Sequence, residues 1–394
     1  MTRLAPSAII GTGVSALVRK YDLSADIYAA QAIDRAVEDA GLVPAQIDGL
    51  LINRSPVATD NALTLNMQNR MGYRQLSLLA EVDGEGSSAM QMVQMATLAI
   101  QAGMATRIAC VFADTPLKPN MTGSDAFGMA LPILDFEGWE QVSGIYGPVG
   151  TYALFASFHM ARYGITEEQL SSVAISDRAW AVLNPDARLR TPLTPEAYFR
   201  APVIAHPLRM LDCAYPLNGA AAFVITSAAD AKTLSSSDRP PAYIHGFSQA
   251  HTNNAFATYL QRDEISAARL CANRAYEMAG IGPKDVDSRQ FYEAFSYTNL
   301  VSLEEYGFCE RGESGELAAS GALAPGGHLP TNTGGGQLSC SYLQGMTPLL
   351  EGVAQVRGSC GARQVASDVV LVTGVGGFLQ HQACVILSPH RSLN

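Results

Sequence analysis

The sequence predicts an α/β protein built from two similar halves, each with a mixed sheet and a buried central helix. The pattern AVEDAGLVPAQID of residues 36–48 recurs as AYEMAGIGPKDVD in residues 275–287. In the same order, GSSAMQMVQMATLAIQAG of residues 86–103 recurs as SYLQGMTPLLEGVAQVRG in residues 341–358. An apolar strand pattern follows each of these segments. Two matches in the same order indicate a duplication, and the strand–helix alternation is typical of α/β proteins.

The first repeated segment of each half ends a helix and leads into a strand. In the first half, apolar residues recur at helical spacing and Ser24 can cap the helix start; these residues are Ile27, Ala30, Ile33, Val37 and Ala40. The strands that follow are expected at residues 49–52 and 289–295. The second repeated segment is predicted to be a helix that begins at a Gly/Ser-rich turn and ends at a glycine. Its strands are expected at residues 107–113 and 368–377.

This repeat divides the chain into an N-terminal half, residues 1–230, and a C-terminal half, residues 240–394. The polar, Pro/Ser-rich residues 227–246 are expected to join them. Residues 114–210 have no counterpart in the second half and are rich in turn formers. We interpret them as an inserted loop region that covers a site or builds an interface.

The composition limits the classes of function. Of 394 residues, 48% are apolar and 16% are charged, which is typical of a well-buried globular enzyme. The net charge of −10 and the lack of a basic run disfavour a nucleic-acid partner. Seven scattered cysteines without a C-x-x-C pair favour a reducing compartment and predict no metal site in this chain. Neither a convincing signal peptide nor an apolar run of roughly 20 residues is visible, so we expect a cytoplasmic protein without a membrane span.

Two glycine-rich regions indicate where the site lies. A buried helix that begins at a Gly/Ser turn presents unpaired N–H groups and the positive end of its dipole. The repeated helices, starting at Ser87 and near Tyr342, are therefore expected to converge between the halves. The loop 326–336 and the turn 373–377 can bring backbone close to a ligand. The expected binding residues there are Gly335, Gly336, Gly376 and Gly377.

These features together resemble the thiolase superfamily. Besides the duplication, the resemblance rests on YEAFSYTNLVSLEEYGF (292–308), GGHLPTNTGGGQLS (326–339) and TGVGGF (373–378), and it covers nearly the whole chain. It is greatest to the lipid-transfer-protein branch, which is related to the thiolase domain of sterol carrier protein x. The resemblance implies a five-layer αβαβα fold with mixed sheets and buried central helices.

The catalytic residues of thiolases are missing at the matching positions. Thiolases are similar proteins that use a cysteine at the start of the first buried helix, a histidine in a Gly-His-Pro turn and a second cysteine near the final glycine-rich turn. Here Asp83 and Glu85 stand near the first helix start, Tyr342 occupies the histidine position, and the final turn has no cysteine. The Asn-Glu-Ala-Phe element of thiolases begins with Tyr292 instead of asparagine. Without a thiolate the usual acyl-enzyme cannot form, which disfavours ordinary thiolysis.

The steroid side-chain aldolases resemble this chain in these substitutions, since they lack the cysteines and carry two active-site tyrosines. The resemblance implies retro-aldol cleavage of a β-hydroxyacyl-CoA thioester, a steroid side-chain CoA ester, into a ketone and a shorter acyl-CoA. The two tyrosines correspond to Tyr297 and Tyr342, which we expect to be the acid–base pair. A phenol with a pKa near 10 can act as acid or base once its neighbours shift that pKa. Which tyrosine takes the alcohol proton stays open.

Other polar residues of these segments have two interpretations each. Asp83 and Glu85 either assist the base or simply stabilise the helix start as acidic residues commonly do. Ser87 and His328 are expected to contact the substrate or its CoA group, although His328 could instead be held within its own loop. No cofactor is expected in this chain beyond the CoA thioester substrate.

The sequence also suggests three alternatives to the aldolase. The motif GTGVSA of residues 11–16 suggests a dinucleotide site, but Asp34 falls inside a helix instead of at the end of a second strand. A thiolase-type acyltransferase with Ser87 as nucleophile and a non-catalytic acyl-CoA-binding subunit both stay open.

The resemblance further implies a homodimer and a complex with a small zinc-ribbon and OB-fold protein that helps to bind acyl-CoA. Zinc is expected only in that partner, and residues 114–210 are a candidate docking surface.

Overall fold

A computed structural model of the protein describes residues 5–57, 63–129, 142–145, 147–236, 239–252 and 265–393. Its strands include nine that form one mixed sheet in the order β3-β2-β4-β7-β1-β8-β11-β10-β9, and two, β5 and β6, that form a separate hairpin. The strands are β1 (Ser7–Val14), β2 (Gly49–Asn53), β3 (Leu78–Val82), β4 (Arg107–Asp114), β5 (Val203–Ala205), β6 (Leu208–Arg209), β7 (Gly219–Ser227), β8 (Ala242–His251), β9 (Ser288–Gln290), β10 (Val370–Gly376) and β11 (His381–Ser388).

The order of the strands repeats the duplication seen in the sequence. Outward from the centre, the first half runs β1-β7-β4-β2-β3 and the second runs β8-β11-β10-β9. In each half the first two strands pair antiparallel, whereas β4 with β2 and β10 with β9 pair parallel. The two half-sheets join where β1 pairs antiparallel with β8, with Ser7 opposite Ile244. The two predicted mixed sheets are thus hydrogen-bonded into one continuous sheet.

Helices lie between and outside these half-sheets. They are α1 (Ala25–Asp39), α2 (Leu63–Arg70), α3 (Ser88–Gln101), α4 (Gly123–Met129), α5 (Gly147–Tyr163), α6 (Glu167–Leu183), α7 (Pro195–Phe199), α8 (Ala228–Leu234), α9 (Ala267–Ala279), α10 (Ser296–Glu305), α11 (Ser314–Ala319) and α12 (Met346–Val356). None of these helices is both long and apolar enough to cross a bilayer.

Alternating side chains along the strands build the layers. In β4, Ile108 and Phe112 pack with the central helices α3 and α12, while Ala109 and Val111 pack on α1 at the opposite face. In the second half, Leu371 of β10 lies in the outer core with α9 and α10. Because both faces of each half-sheet are covered, strands such as β4 and β10 carry apolar side chains on both faces, whereas β9 is the polar segment Ser288–Gln290. The helices therefore form an outer, a central and a second outer layer, which confirms the predicted five-layer α/β fold.

The region predicted as an inserted loop, residues 114–210, is largely helical where it is described. It contributes α4 to α7, and residues 130–141 and 146 of it lie outside the described residues, as do residues 237 and 238 of the predicted junction. Helix α6 begins after Thr166, whose hydroxyl accepts a hydrogen bond from the Gln169 N–H. Gly123 and Pro195 stand at the starts of α4 and α7, and Pro185 follows the end of α6, while α5 and α6 carry buried apolar residues.

The starts of the predicted helices agree with the structure in the first half and differ in the second. Ser24 directly precedes α1, although its hydroxyl donates to the Asp26 carboxylate instead of capping the backbone. Helix α3 begins at Ser88, next to the predicted start. In the second half, α12 begins only at Met346, because the Tyr342 N–H donates to the Tyr215 carbonyl oxygen at 2.8 Å and the backbone there is extended.

Candidate active site

Two phenols meet where the segments after β9 and before α12 approach each other. The hydroxyl oxygens of Tyr292 and Tyr342 lie 3.1 Å apart, within hydrogen-bonding distance. Tyr292 is buried and Tyr342 is half-buried. Burial raises the pKa of both hydroxyl groups above the ordinary value. Both phenols are therefore neutral hydrogen-bond donors at neutral pH.

Neighbouring elements fix this pair from several sides. The Tyr292 N–H donates to the Thr373 hydroxyl of β10 at 3.1 Å. The ring of Phe127, from α4, packs edge-on against Tyr342 with the ring centres 5.5 Å apart. Gly86 leaves space for the Tyr292 ring, since a Cβ at this position would lie 2.2 Å from a ring carbon. The pair is thus held by the second half of the sheet, the inserted region and the start of α3.

Glu85 brings a carboxylate to the same place. It adopts a positive φ of 48°, and its Oε2 accepts a hydrogen bond of 2.7 Å from the Gly377 N–H. The side chain is open to solvent on one side, but crowding by protein atoms on the other raises its pKa. The Gly377 hydrogen bond opposes that rise, and the nearby Asp83 adds to it. The charge of Glu85 contributes to the raised pKa of Tyr292 and Tyr342, so the three groups share one electrostatic environment.

Asp83 and Ser87 have other contacts. Asp83 is exposed and lies 3.1 Å from the guanidinium of Arg54. Ser87 is fully buried; its hydroxyl donates to the Gly84 carbonyl oxygen at 2.6 Å and accepts from the Gln91 amide at 2.8 Å. The Ser87 hydroxyl thus donates its proton to a carbonyl oxygen and accepts a hydrogen bond from an amide. Because neither partner is a base, this hydroxyl has a structural role and is a poor nucleophile.

Tyr297, predicted as one of the two site tyrosines, lies in the core of the second half. Its side chain is fully buried in α10, and its ring packs against the imidazole of His159 with centres 5.5 Å apart. The hydroxyl that contacts Tyr342 belongs instead to Tyr292, five residues earlier. One signal pointed to Tyr292: it stands where thiolases have asparagine, as Tyr342 stands where they have histidine.

The predicted binding glycines bring protein segments together. A Cβ at Gly336 would lie 1.7 Å from Glu293 Oε1, which accepts a hydrogen bond of 2.8 Å from the Gln337 N–H. Likewise, a Cβ at Gly335 would lie 2.6 Å from that of Ala181, and one at Gly376 would lie 2.2 Å from the Gly84 carbonyl oxygen. The close approaches at these three positions are therefore to other parts of this chain. Gly377 differs, since its N–H holds the site carboxylate of Glu85.

His328 lies in an exposed turn, and none of its described contacts reaches the tyrosine pair. Thr331, which follows this turn, pairs with Arg289 of β9, three residues before Tyr292.

Sequence reasoning also missed two residues near the pair, Asp114 and Tyr152. Burial raises the pKa of Asp114 to about 6, and its hydroxyl partner is Ser55 at 2.7 Å. Tyr152 of α5 donates to the Gly377 carbonyl oxygen at 3.1 Å.

The arrangement combines two neutral donors with one carboxylate. Donors of this kind stabilise negative charge that develops on a substrate oxygen, and a carboxylate with a raised pKa can take a proton. The cysteine nearest in sequence, Cys340, has its pKa raised by burial to about 11 and is therefore a neutral thiol. Within the described part of the chain, no cluster of three His, Cys, Asp or Glu side chains could hold a metal ion.

Known proteins share both the fold and the length of this chain. The family described as Thiolase C-terminal domain-like matches residues 248–389. A steroid side-chain-cleaving aldolase of Thermomonospora curvata is 31% identical over 94% of this chain and 95% of its own length. The 17-hydroxy-3-oxo-4-pregnene-20-carboxyl-CoA lyase of Mycobacterium tuberculosis is 31% identical over 94% of this chain and 96% of its own.

A solved structure confirms the likeness in three dimensions. The Ltp2–ChsH2(DUF35) aldolase superimposes with a TM-score of 0.86 at 31% identity, covering 97% of both chains. These matches confirm the resemblance predicted from the sequence motifs. Identity of this level over nearly the full length, together with the paired phenols, leads to one conclusion: the chain belongs to the thiolase-like family of steroid side-chain-cleaving aldolases.

Proposed function

We propose that this chain cleaves a β-hydroxyacyl-CoA thioester by a retro-aldol reaction, giving a ketone and a shorter acyl-CoA. The observation that carries the proposal is the 3.1 Å contact between Tyr292 and Tyr342 beside the carboxylate of Glu85. The contact joins the two positions at which thiolases have asparagine and histidine. A retro-aldol step needs a base and donors to an oxyanion, and it needs no nucleophile.

We assign the roles from the chemistry of the three groups that meet at this place. A neutral phenol is a good donor but a poor base, so the base is Glu85. It takes the proton of the β-hydroxyl group, and the bond between the α and β carbons breaks to leave a ketone and a thioester enolate. Tyr292 and Tyr342 donate hydrogen bonds to the enolate oxygen. The proton is then returned to the α carbon, so that no atom is gained or lost.

This assignment modifies the expected acid–base pair of Tyr297 and Tyr342. Tyr342 stays in the proposed site but acts as a hydrogen-bond donor, Tyr292 takes the second position, and Glu85, expected at most to assist the base, is proposed as the base. Asp83 is held by Arg54 and has no part in the proposed chemistry. The contacts of Ser87 argue against an acyltransferase that uses this hydroxyl as nucleophile.

The proposed substrate is a steroid side-chain CoA ester. Both curated relatives carry names of steroid side-chain or pregnene chemistry. In a 17-hydroxy-pregnene-20-carboxyl-CoA the hydroxyl-bearing carbon is β to the thioester carbonyl, which is the arrangement that a retro-aldol reaction requires. We therefore propose a tertiary β-hydroxyl on a bulky ring system as the reacting group.

We also propose a homodimer that works with a small acyl-CoA-binding partner containing a zinc ribbon and an OB fold. The matched structure is that of a two-component aldolase, which supports a partner subunit. The chain itself is proposed to need no cofactor, and zinc to belong to the partner alone. The scattered free cysteines favour a cytoplasmic location, and residues 1–230 and 240–394 are proposed as the two halves.

The test is cleavage without free CoA. The chain, co-purified with its partner, is incubated with a tertiary β-hydroxyacyl-CoA, and the ketone and shorter acyl-CoA are measured by mass spectrometry. We expect equal amounts of both products, loss of activity in Tyr342→Phe, and full activity in the control Tyr21→Phe, whose ring is exposed. A requirement for free CoA, or no cleavage by the complex, contradicts the proposal.

A further inference from the structure

A third phenol, Tyr152 of the inserted region, lies near Tyr292 and Glu85. Tyr152 lies on α5, and only 2% of its surface is exposed. Its ring packs against Phe295 and Phe378, with centres 4.9 Å and 6.1 Å apart. Its hydroxyl donates to the Gly377 carbonyl oxygen at 3.1 Å. Tyr152 thus connects a helix that has no counterpart in the second half to the turn after β10.

Gly377 links Tyr152 to Glu85. Its carbonyl oxygen accepts from Tyr152, and its N–H donates to the Glu85 carboxylate at 2.7 Å. Gly377 adopts a φ of 59°, in the left-handed region that glycine tolerates best. Glu85 also has a positive φ, a conformation that a residue with a side chain adopts only when its surroundings hold it. The Gly377 N–H therefore helps to fix the position of the Glu85 carboxylate.

A buried hydrogen bond seats α5 against the second half. His159 lies seven residues after Tyr152, two helical turns along the same face. Its Nε2 is 2.9 Å from the Glu304 carboxylate of α10, and both side chains are at least 94% buried. The other oxygen of Glu304 accepts from the Ser314 hydroxyl at 2.6 Å. Because this contact is buried, it fixes the depth and rotation of α5 and hence the position of the Tyr152 hydroxyl.

We infer that Tyr152 is a positioning residue that holds Glu85 in its reactive orientation through Gly377, with His159 and Glu304 seating the helix that carries it. The inference rests on the proposed function, because it assumes that Glu85 is the base. Tyr152 acts on the carboxylate through one glycine and takes no proton itself. On this inference the inserted region contributes to catalysis indirectly, by positioning Glu85.

The test is Tyr152→Phe, which keeps the ring and its packing and removes the hydroxyl. We expect kcat to fall roughly tenfold, as when one buried hydrogen bond that orients a catalytic group is lost, with KM changing less than twofold. The acid limb of the kcat profile should move to higher pH, since a poorly held Gly377 N–H stabilises the ionised carboxylate less. The other titratable groups around Glu85 and Gly377 include Asp83, His381, Tyr292 and Tyr342, and all four side chains are retained in the variant.

A matched control is Tyr276→Phe. Tyr276 is also a buried phenol that donates to a backbone carbonyl, that of Tyr306 at 3.0 Å, and it lies on the outer helix α9. The Tyr276→Phe variant should leave the pH profile of cleavage unchanged. In Glu85→Gln the acid limb should disappear, and adding Tyr152→Phe should cause no further loss, because both changes act on the same group.

The outcomes separate the inference from the proposed function. If Tyr152→Phe has the wild-type rate and pH profile, or if its loss multiplies with that of Glu85→Gln, Tyr152 does not act through Glu85. If Glu85→Gln retains full activity, the assignment of the base itself is wrong. If the unaltered complex cleaves no β-hydroxyacyl-CoA, the proposed function fails whatever the variants show.

Discussion

The paired phenols lead to a quantitative prediction for Tyr342→Phe and Tyr292→Phe. Each change removes one hydroxyl from a pair 3.1 Å apart and leaves the ring in place; Tyr342 keeps its edge-on contact with Phe127. A preorganised donor to an oxyanion contributes about 3–4 kcal/mol to the stability of the transition state. Since 1.36 kcal/mol is tenfold in rate, kcat should fall by about 10² to 10³ in either variant.

The double variant tests whether the hydroxyls act as a unit. One phenol donates to the other, so removing the first already weakens the second. The combined loss should therefore be smaller than the product of the two single losses. The assay is the steady-state release of the shorter acyl-CoA by the complex, with circular dichroism spectra to verify folding and Tyr21→Phe as control. Two folded single variants with rates within threefold of the wild type would refute the reasoning.

Three further predictions concern the surroundings of the pair. Burial raises the pKa of Asp114 from 3.8 to about 6, so its stabilising contribution is present below pH 4 and lost as the pH rises through 6. Asp114→Asn, which keeps the acceptor for Ser55, should stabilise the fold at pH 8 by at most about 3 kcal/mol and not at pH 4, as measured by urea unfolding. Gly86→Ala places a Cβ 2.2 Å from the Tyr292 ring, and it should cost about 1–3 kcal/mol in thermal unfolding and lower kcat. Ser87→Ala should lower stability by about 1–3 kcal/mol while kcat stays within tenfold; complete loss of activity in a folded variant would restore Ser87 as a nucleophile.

The duplicated architecture could be predicted from sequence because it is encoded locally. Each repeat contains a helix stop, a turn and an apolar strand, and these patterns depend on residues close in the chain. The start of α12 could not be predicted in this way. The stretch from Tyr342 to Met346 has the composition of a helix start, but the Tyr342 N–H is bound by Tyr215, more than a hundred residues earlier. Such a long-range contact leaves no local signal.

The site could be predicted only in part for the same reason. Tyr342 is predicted because it replaces a histidine within a recognisable motif, and the structure places its hydroxyl beside that of Tyr292. The choice between Tyr292 and Tyr297 depends on where the strand segment ends: α10 begins at Ser296 and rotates Tyr297 toward His159. Tyr152 reaches the site from a segment that sequence reasoning interpreted as a loop. Glycine patterns show that a close approach is required, but the partner, here Glu293 or Gly84, appears only in the structure.

The chemistry follows from what the phenols replace. A histidine and an asparagine beside a thiolate support acyl transfer, since the histidine can exchange protons with a leaving thiol. Two phenols with raised pKa can still hold an oxyanion, but they cannot activate a nucleophile, and Cys340 stays a neutral thiol. Under the proposed function, bond cleavage then proceeds through proton transfer alone, and Glu85 is the proposed base. Mass spectrometry of the chain during turnover should accordingly find it unmodified, and an acyl group trapped on any side chain would contradict this account.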